Sequence, residues 1–201
     1  MKDRPILFSG PMVSAILDGR KTQTRRVIKP QPVKIDGGVP YRDPPKWGNG
    51  KPGTAIYRCP YGMRGDRLWV RETFCQIDGG GYAYKSTDAQ DADAERCRLE
   101  YGYKWTPSIF MPRWASRITL EIVSMHVERV QEIDEADAKA EGCERRGPND
   151  QHGDERSYYE GYRELWDSIN AKRGYGWDKN PYVWVIEFTM RLKQPNTIVD
   201  R

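Results

Sequence analysis

The pattern of hydrophobic and polar positions predicts two short strands and a helix in the N-terminal third of the chain. Ile6-Leu7-Phe8 indicates a first strand, and Leu68-Trp69-Val70-Arg71-Glu72 indicates a second one that leaves a turn at Gly65-Asp66. Between them, Pro11 at the first helical position and Gly19 at the end delimit a helix. One face of this helix is apolar because its hydrophobic residues recur at helical spacing; they are Met12, Val13, Ile16 and Leu17.

The C-terminal third contains the two strongest strand patterns. The segment 117–130 alternates through Ile118, Leu120 and Ile122 and then changes phase at Met125, which predicts a long strand with a bulge or bend. The segment 183–188, Val-Trp-Val-Ile-Glu-Phe, predicts a second strand that continues with period 2 through Met190 and Leu192.

Capping residues predict two further helices. Asp134 begins a short helix that runs through Glu141 and ends at Gly142. Ser157 and Glu160 form a capping-box pattern before a longer helix. The longer helix has an apolar and aromatic stripe made of Tyr158, Tyr162, Leu165, Trp166 and Ile169.

Three polar segments separate these elements, and we interpret them as loop inserts at about 29–60, 76–104 and 142–156. The first holds seven of the 14 prolines, a density that neither a helix nor a central strand tolerates. A chain of 201 residues is typical of one domain. We therefore predict a single α+β domain over 1–201, a compact β-barrel flanked by two or three short helices.

Composition narrows the class of protein. Only 37% of the residues are hydrophobic, the mean hydropathy is -0.86, and no apolar run approaches the length that spans a bilayer. The N-terminus lacks the apolar stretch of a signal peptide, so we predict a soluble, cytoplasmic protein without a membrane partner. The four cysteines are isolated, and a zinc site made of Cys59, Cys143, His126 and His152 has no spacing to support it. No motif implies a metal or an organic cofactor.

Charge is distributed unevenly along the chain. Residues 1–74 hold 15 Lys and Arg against 6 Asp and Glu, a net charge of +9, whereas the remaining residues have a net charge of −5. Such asymmetry indicates a surface for anions or nucleic acid. The alternative is that the two halves simply pair their charges across the fold.

The densest polar motif is Gly-Arg-Lys-Thr-Gln-Thr-Arg-Arg at 19–26. Thr24 is a candidate nucleophile, because a threonine hydroxyl becomes reactive when a base takes its proton. Lys21 is a candidate base if burial and nearby positive charge lower its pKa. Arg20, Arg25 and Arg26 can supply that charge or bind a phosphate. The alternative interpretation is a basic surface loop.

Two carboxylates and two tryptophans complete the candidate set. Glu141 ends a helix, where a negative charge is mildly unfavourable, so it either is solvated or faces a pocket and orients Lys21. Glu72 is a second candidate, with an ion pair to a neighbouring arginine as the simpler interpretation. Trp47 and Trp105 fall in predicted loops, where they can stack on bases.

The motif at 19–26 resembles the signature of ASCH domains, a family similar to PUA-like barrels, with its Gly-x-Lys-x-x-Glu-x-Arg pattern. The turn and strand at 65–70, the acidic helix at 137–142 and the strand at 183–188 resemble the corresponding family elements in the same order. The resemblance covers about half of the chain. It implies a small barrel with a substrate pocket.

Many family members have Glu at the position of Thr24. With Thr24, the motif of this chain resembles that of the ASCH members that act as N4-acetylcytidine amidohydrolases. For Lys21, Thr24 and Glu141 this resemblance implies the roles of base, nucleophile and proton relay. The long inserts, the N-terminal Arg-Pro-Ile-Leu-Phe and the segment 111–117 instead resemble phage and prophage ASCH proteins.

Three functions follow as hypotheses. The first is an amidohydrolase that removes an acyl group from N4-acylcytidine-like nucleosides. The second is a binding module without catalysis that recognises RNA or modified nucleic acid, and the third is a nuclease on the same scaffold. The sequence predicts neither the native substrate nor the oligomeric state.

Overall fold

A computed structural model describes residues 1–32, 34–36, 39–42, 55–56, 58–77, 81–87, 99–145 and 157–192. The strands are β1 (Asp3–Leu7), β2 (Gln23–Val27), β3 (Lys34–Asp36), β4 (Val39–Arg42), β5 (Ala55–Ile56), β6 (Arg67–Arg71), β7 (Phe74–Gln76), β8 (Tyr82–Tyr84), β9 (Ile118–Arg129) and β10 (Tyr182–Leu192). The helices are α1 (Gly10–Leu17), α2 (Glu135–Ala140) and α3 (Tyr158–Asn170). Within these ranges no helix has the length and apolar character needed to cross a membrane.

A five-stranded sheet with the order β1-β6-β9-β10-β2 forms the centre of the fold. Strand β1 runs parallel to β6, and the other neighbours pair antiparallel. This sheet and the three helices confirm the α+β class. Over the described ranges the edge strands β1 and β2 share no ladder, although the Arg26 Nη2 atom donates to the carbonyl oxygen of Leu7 at 2.7 Å.

Strand β9 contains the predicted irregularity. Ile122 pairs with Phe188 and Ser124 pairs with Glu187, so Val123 is an extra residue in the ladder between β9 and β10. A bulge of this kind moves the following side chains to the opposite face, which is the phase change seen in the sequence. The prediction of a long, bulged strand is confirmed.

The predicted helix ends are confirmed as well. The Asp134 carboxylate accepts the backbone N–H of Asp137 at 2.7 Å, and the Ser157 hydroxyl accepts the backbone N–H of Glu160 at 3.0 Å. Gly142 follows α2 with a φ of 78°, a left-handed conformation that favours glycine.

Hydrophobic residues pack on both faces of β10. On one face Trp184, Ile186 and Phe188 join a core with β1, α1, β6 and β9. On the other face Val183 and Val185 pack under α2 and α3. A strand buried on both faces has a nearly continuous hydrophobic run, as seen at 183–188.

The prediction that the first two inserts are loops is wrong in part. The segment 29–60 contains the three-stranded sheet β3-β4-β5, and the segment 76–104 contributes to the hairpin of β7 and β8. These strands have two to four residues, which is too short for a periodic pattern to be recognised. In the third insert, residues 146–156 lie outside the described ranges.

Candidate functional site

Lys21 and Glu141 form a buried ion pair. The Lys21 Nζ atom donates to Glu141 Oε2 at 2.6 Å and to the Glu141 backbone carbonyl at 2.7 Å. The Lys21 side chain is 0% exposed and that of Glu141 is 4% exposed. Glu141 therefore faces inward, and its interpretation as a solvated residue at a helix end is wrong.

Backbone contacts hold this pair in position. Lys21 donates its backbone N–H to the carbonyl of Ala15 in α1 at 2.9 Å, and Thr22 donates to the carbonyl of Ala140 in α2 at 2.8 Å. A Cβ atom on Gly142 would lie 2.9 Å from the Lys21 Cβ and 3.0 Å from the Ala15 Cβ. Glycine at 142 thus permits the ends of α1 and α2 to approach each other around Lys21.

Burial shifts the proton affinity of Lys21. Removal of the ammonium from water lowers the pKa of Lys21 below its ordinary value, although the Glu141 carboxylate works in the opposite direction. The neighbouring charge of Arg26 lowers this pKa further. The site therefore favours the neutral amine more than a solvent-exposed lysine does, which is the condition under which Lys21 is expected to act as a base.

Arg25 is enclosed by acidic side chains. Its Nη2 atom lies 2.6 Å from Glu128 Oε1 and 2.6 Å from Asp137 Oδ2, and its Nη1 atom lies 3.5 Å from Glu141 Oε1. Burial works to lower the pKa of Arg25, but the charge of Glu141 and its other acidic neighbours raises it overall. Arg25 is thus a permanent cation that contacts Glu141 Oε1, whereas Lys21 contacts Glu141 Oε2.

Thr24 and Glu141 line the same cavity, which has a volume of about 330 Å³. Thr24 is 3% exposed and pairs with Ile186 in the ladder between β2 and β10. Within the described ranges its hydroxyl makes no side-chain hydrogen bond to Lys21 or Glu141. The predicted convergence is confirmed for Lys21 and Glu141, and a link from Thr24 through one water stays a prediction.

The alternative of a basic surface loop at 19–26 is wrong for most of the motif. Lys21, Gln23, Thr24 and Arg25 are buried, because β2 adds to the sheet and is covered by α2 and α3. Short strands rich in Arg, Gln and Thr lack the apolar alternation that identifies a strand in sequence.

The two remaining predicted arginines, Arg20 and Arg26, lie at different places. Arg26 lines the cavity of Thr24, and its guanidinium carbon lies 5.0 Å from the ring centroid of Phe8. Arg20 is exposed, pairs with Asp18 at 2.8 Å and lines a second cavity of about 670 Å³. Glu141 lines both cavities, as do Met12 and Leu165.

Glu72 belongs to a third cavity, of about 570 Å³. It accepts hydrogen bonds from Arg117 at 3.0 and 3.1 Å and from Ser86 at 2.5 Å. The simpler interpretation, an ion pair with arginine, is confirmed, although the partner is distant in sequence. Trp105 is half-buried and lines none of these three cavities, and Trp47 lies outside the described residues.

The cavity of Thr24 contains residues that sequence reasoning missed. Tyr162 and Trp166 were placed on the apolar stripe of a helix; both are buried in the core and line the cavity too. Arg58 lies near the end of the Pro-rich segment 29–60, Tyr61 directly follows that segment, and Arg173 follows α3. The one available signal was the excess of positive charge in residues 1–74, which includes Arg58.

Metal-binding geometry is not found in the described ranges, where no three His, Cys, Asp or Glu side chains are grouped to hold an ion. His152 lies outside those ranges. Comparisons of the chain with protein-family models, with curated proteins and with solved structures find no match. The likeness to ASCH domains therefore rests on the quoted motifs alone.

Proposed function

We propose that this chain is an ASCH-like amidohydrolase that removes the acyl group from N4-acylated cytosine nucleosides. The observation that carries the proposal is the buried Lys21–Glu141 pair in contact with a cavity that Thr24 also lines. The five-stranded sheet, with Arg26 bridging its two edges, supports a partly closed PUA-like barrel as the scaffold.

The contacts of Lys21 suit a general base. A neutral lysine amine has two N–H groups and one lone pair. Glu141 accepts two hydrogen bonds from Nζ, one at its carboxylate and one at its backbone carbonyl. With both N–H groups engaged, the lone pair is left to accept a proton, and burial lowers the pKa of Lys21, which increases the share of the amine that carries this lone pair.

In the first half of the proposed reaction, Thr24 Oγ1 attacks the acyl carbonyl carbon and its proton passes to Lys21 Nζ. The tetrahedral intermediate then breaks its C–N bond, and the departing N4 amine takes the proton back from Lys21. This leaves an ester on Thr24. Water hydrolyses the ester through the same base, which releases a carboxylic acid and restores the Thr24 hydroxyl.

The reaction also needs hydrogen-bond donors for the oxyanion of the tetrahedral intermediate, and two amides of the motif at 19–26 cannot supply them. The backbone N–H groups of Lys21 and Thr22 already bond to carbonyls of α1 and α2. The Thr22 carbonyl oxygen and the Ile28 N–H both bond to β10. Because the backbone groups of an antiparallel strand point alternately to its two sides, the Arg25 N–H points away from β10, toward the free edge of β2. We assign oxyanion stabilisation to this amide together with the Arg26 guanidinium.

The cavity suits a single nucleoside. Its volume of about 330 Å³ falls at the small end of the range of about 300–1,000 Å³ that ligand pockets span. Tyr61 and Trp184 in its wall provide aromatic surfaces for a base. The cytosine ring would enter with its acylated amine directed at the buried end, where Thr24 and Glu141 lie.

The test is incubation with N4-acetylcytidine, followed by chromatographic detection of cytidine. Thr24→Ala should abolish turnover, and Thr24→Ser should retain part of it because it keeps the hydroxyl. Thr119→Ala is the matched control, since Thr119 is a buried strand threonine outside the cavity. Turnover by Thr24→Ala equal to that of the wild type would refute Thr24 as the nucleophile.

A second candidate function is binding of RNA or modified nucleic acid without catalysis, and the many cations that line the cavity favour it. Binding of this kind depends steeply on salt and tolerates loss of the Thr24 hydroxyl. Salt-sensitive RNA binding without release of cytidine, unchanged in Thr24→Ala, would favour the module over the enzyme.

A further inference from the structure

The cavity of Thr24 has a buried end and an exposed mouth with different chemistry. Thr24 and Glu141 at the buried end are 3% and 4% exposed. Lys29, Arg58 and Arg173 line the same cavity and are exposed. The cavity therefore presents Thr24 and Glu141 inside and three cationic side chains at its opening, whereas Lys21 lies behind Glu141 and does not itself line the cavity.

These mouth cations lack acidic partners among the described residues. Neither Arg58 nor Arg173 forms an ion pair there, and the Lys29 ammonium lies 4.9 Å from the ring centroid of Tyr175. Glu141 is the one carboxylate of the described ranges that lines the cavity, and Lys21 and Arg25 already bind it. The mouth thus carries positive charge that an anionic ligand can neutralise.

We infer that the preferred substrate carries a phosphate, as an N4-acylcytidine 5′-monophosphate, and that Lys29, Arg58 and Arg173 bind this phosphate. The inference rests on the proposed function for the orientation of the base. In a cytosine nucleotide the N4 amine and the 5′-phosphate lie at opposite ends of the molecule. A substrate whose acyl amide reaches Thr24 therefore directs its phosphate toward the mouth.

The size of the cavity favours a mononucleotide over a nucleic-acid strand. A volume of about 330 Å³ is of the size of one nucleotide, and residues of β2 and α3 line the cavity around Thr24. A phosphate carries a charge of about −1.5 to −2 at pH 7, so several cations can contact it at once. Arginine also offers a planar pair of donors that fits two phosphate oxygens.

Calorimetric titration of the wild-type chain with cytidine 5′-monophosphate and with cytidine separates this inference from the proposed reaction, because neither ligand contains an acyl group. An exposed ion pair contributes up to about 1 kcal/mol, which is about fivefold in affinity. With two or three such contacts, we expect the monophosphate to bind about 10- to 100-fold more tightly than cytidine.

The double variant Arg58→Ala/Arg173→Ala should lose most of this preference, because its affinity for the monophosphate should fall much more than its affinity for cytidine. Arg163→Ala/Lys172→Ala is the matched control, because it removes two exposed cations from α3 and the following turn that do not line the cavity. The control should keep the preference for the monophosphate to within about twofold, because salt screens the attraction between the phosphate and charges that do not contact it.

Equal binding of cytidine and its monophosphate would overturn the inference, and so would an equal loss in the control variant. Faster deacylation of an N4-acetylcytidine-containing RNA than of the mononucleotide would overturn it as well. Deacylation of nucleoside and nucleotide at one rate leaves the proposed function standing while this inference fails. Selective binding of the monophosphate without any deacylation supports this inference and contradicts the proposed function.

Discussion

Replacement of Glu141 by leucine should destabilise the fold, because it leaves the ammonium of Lys21 buried without its counter-ion. Lys21 is 0% exposed and its Nζ atom lies 2.6 Å from the Glu141 carboxylate. Removal of one partner from a buried ion pair costs about 3–5 kcal/mol of unfolding free energy. A surface pair of the same distance contributes only about 0–1 kcal/mol.

The proton equilibrium of Lys21 limits this loss. Lys21 can avoid the uncompensated charge by releasing its proton. For a lysine with the ordinary pKa of about 10.4, the free energy of deprotonation is about 4.6 kcal/mol at pH 7 and about 1.9 kcal/mol at pH 9. We therefore expect Glu141→Leu to lose about 3–4.5 kcal/mol at pH 7 and less than about 2 kcal/mol at pH 9.

The sign of this pH dependence follows from the lowered pKa of Lys21. Between that lowered pKa and the unfolded value, the unfolded chain binds more protons than the folded one, so stability rises with pH in this window. Loss of Glu141 removes an interaction that raises the folded-state pKa, which extends the lower limit of this window to lower pH. The variant should therefore recover stability as the pH rises from 7 to 9.

Urea unfolding at 25 °C, followed by tryptophan fluorescence at pH 7 and pH 9, measures these differences. Lys21→Met should lose less than Glu141→Leu, because Arg25 Nη1 remains 3.5 Å from Glu141 Oε1 as a partial partner. The double variant Lys21→Met/Glu141→Leu should lose at least about 2 kcal/mol less than the sum of the single variants. Additive losses, or a Glu141→Leu loss that is the same at both pH values, would refute the reasoning.

Three further predictions concern single residues. Gly142→Ala should lower the free energy of unfolding by about 2–4 kcal/mol, because alanine would combine a left-handed φ with close contacts to Lys21 and Ala15. Gly174→Ala is the matched control and should cost only about 1–2 kcal/mol, because Gly174 has a φ of 82° but open space around it. Thermal melts in which Gly174→Ala is the more destabilised variant would contradict this. Ser157→Ala should cost about 1 kcal/mol through loss of the cap of α3, and an unchanged melting temperature would count against that cap. Burial raises the pKa of Cys143 to about 12, so about one Cys143 thiol in ten thousand is ionised at pH 8. Iodoacetamide should therefore label Cys143 far more slowly in the folded than in the urea-unfolded chain, and equal labelling rates would disprove the effect.

Much of the framework could be predicted from local signals. Asp134 and Ser157 cap their helices as expected, and the phase change after Ile122 marks a bulge at Val123. Hydrogen bonds at a helix end and the two-residue period of a strand involve residues within a few positions of one another. Such features are legible in a single sequence because no distant contact is needed to form them.

The short strands of the inserts and β2 were not predictable in the same way. Strand β2 consists of Gln-Thr-Arg-Arg-Val and is buried at its first three positions. Its polar side chains are stabilised there by distant partners, since Arg25 bonds to Glu128 and Asp137. Local propensity carries no information about partners that lie more than a hundred positions away in the chain.

The sequence by itself determined which residue types are present at 19–26, where the helices begin and end, and that Gly142 must follow α2. The tertiary structure decided that Lys21 and Glu141, 120 positions apart, form a buried pair and that Thr24 shares a cavity with exposed Arg58 and Arg173. The reason is physical. Burial and the field of neighbouring charges set the proton affinity of Lys21, and both exist only once β2, α1 and α2 have packed together.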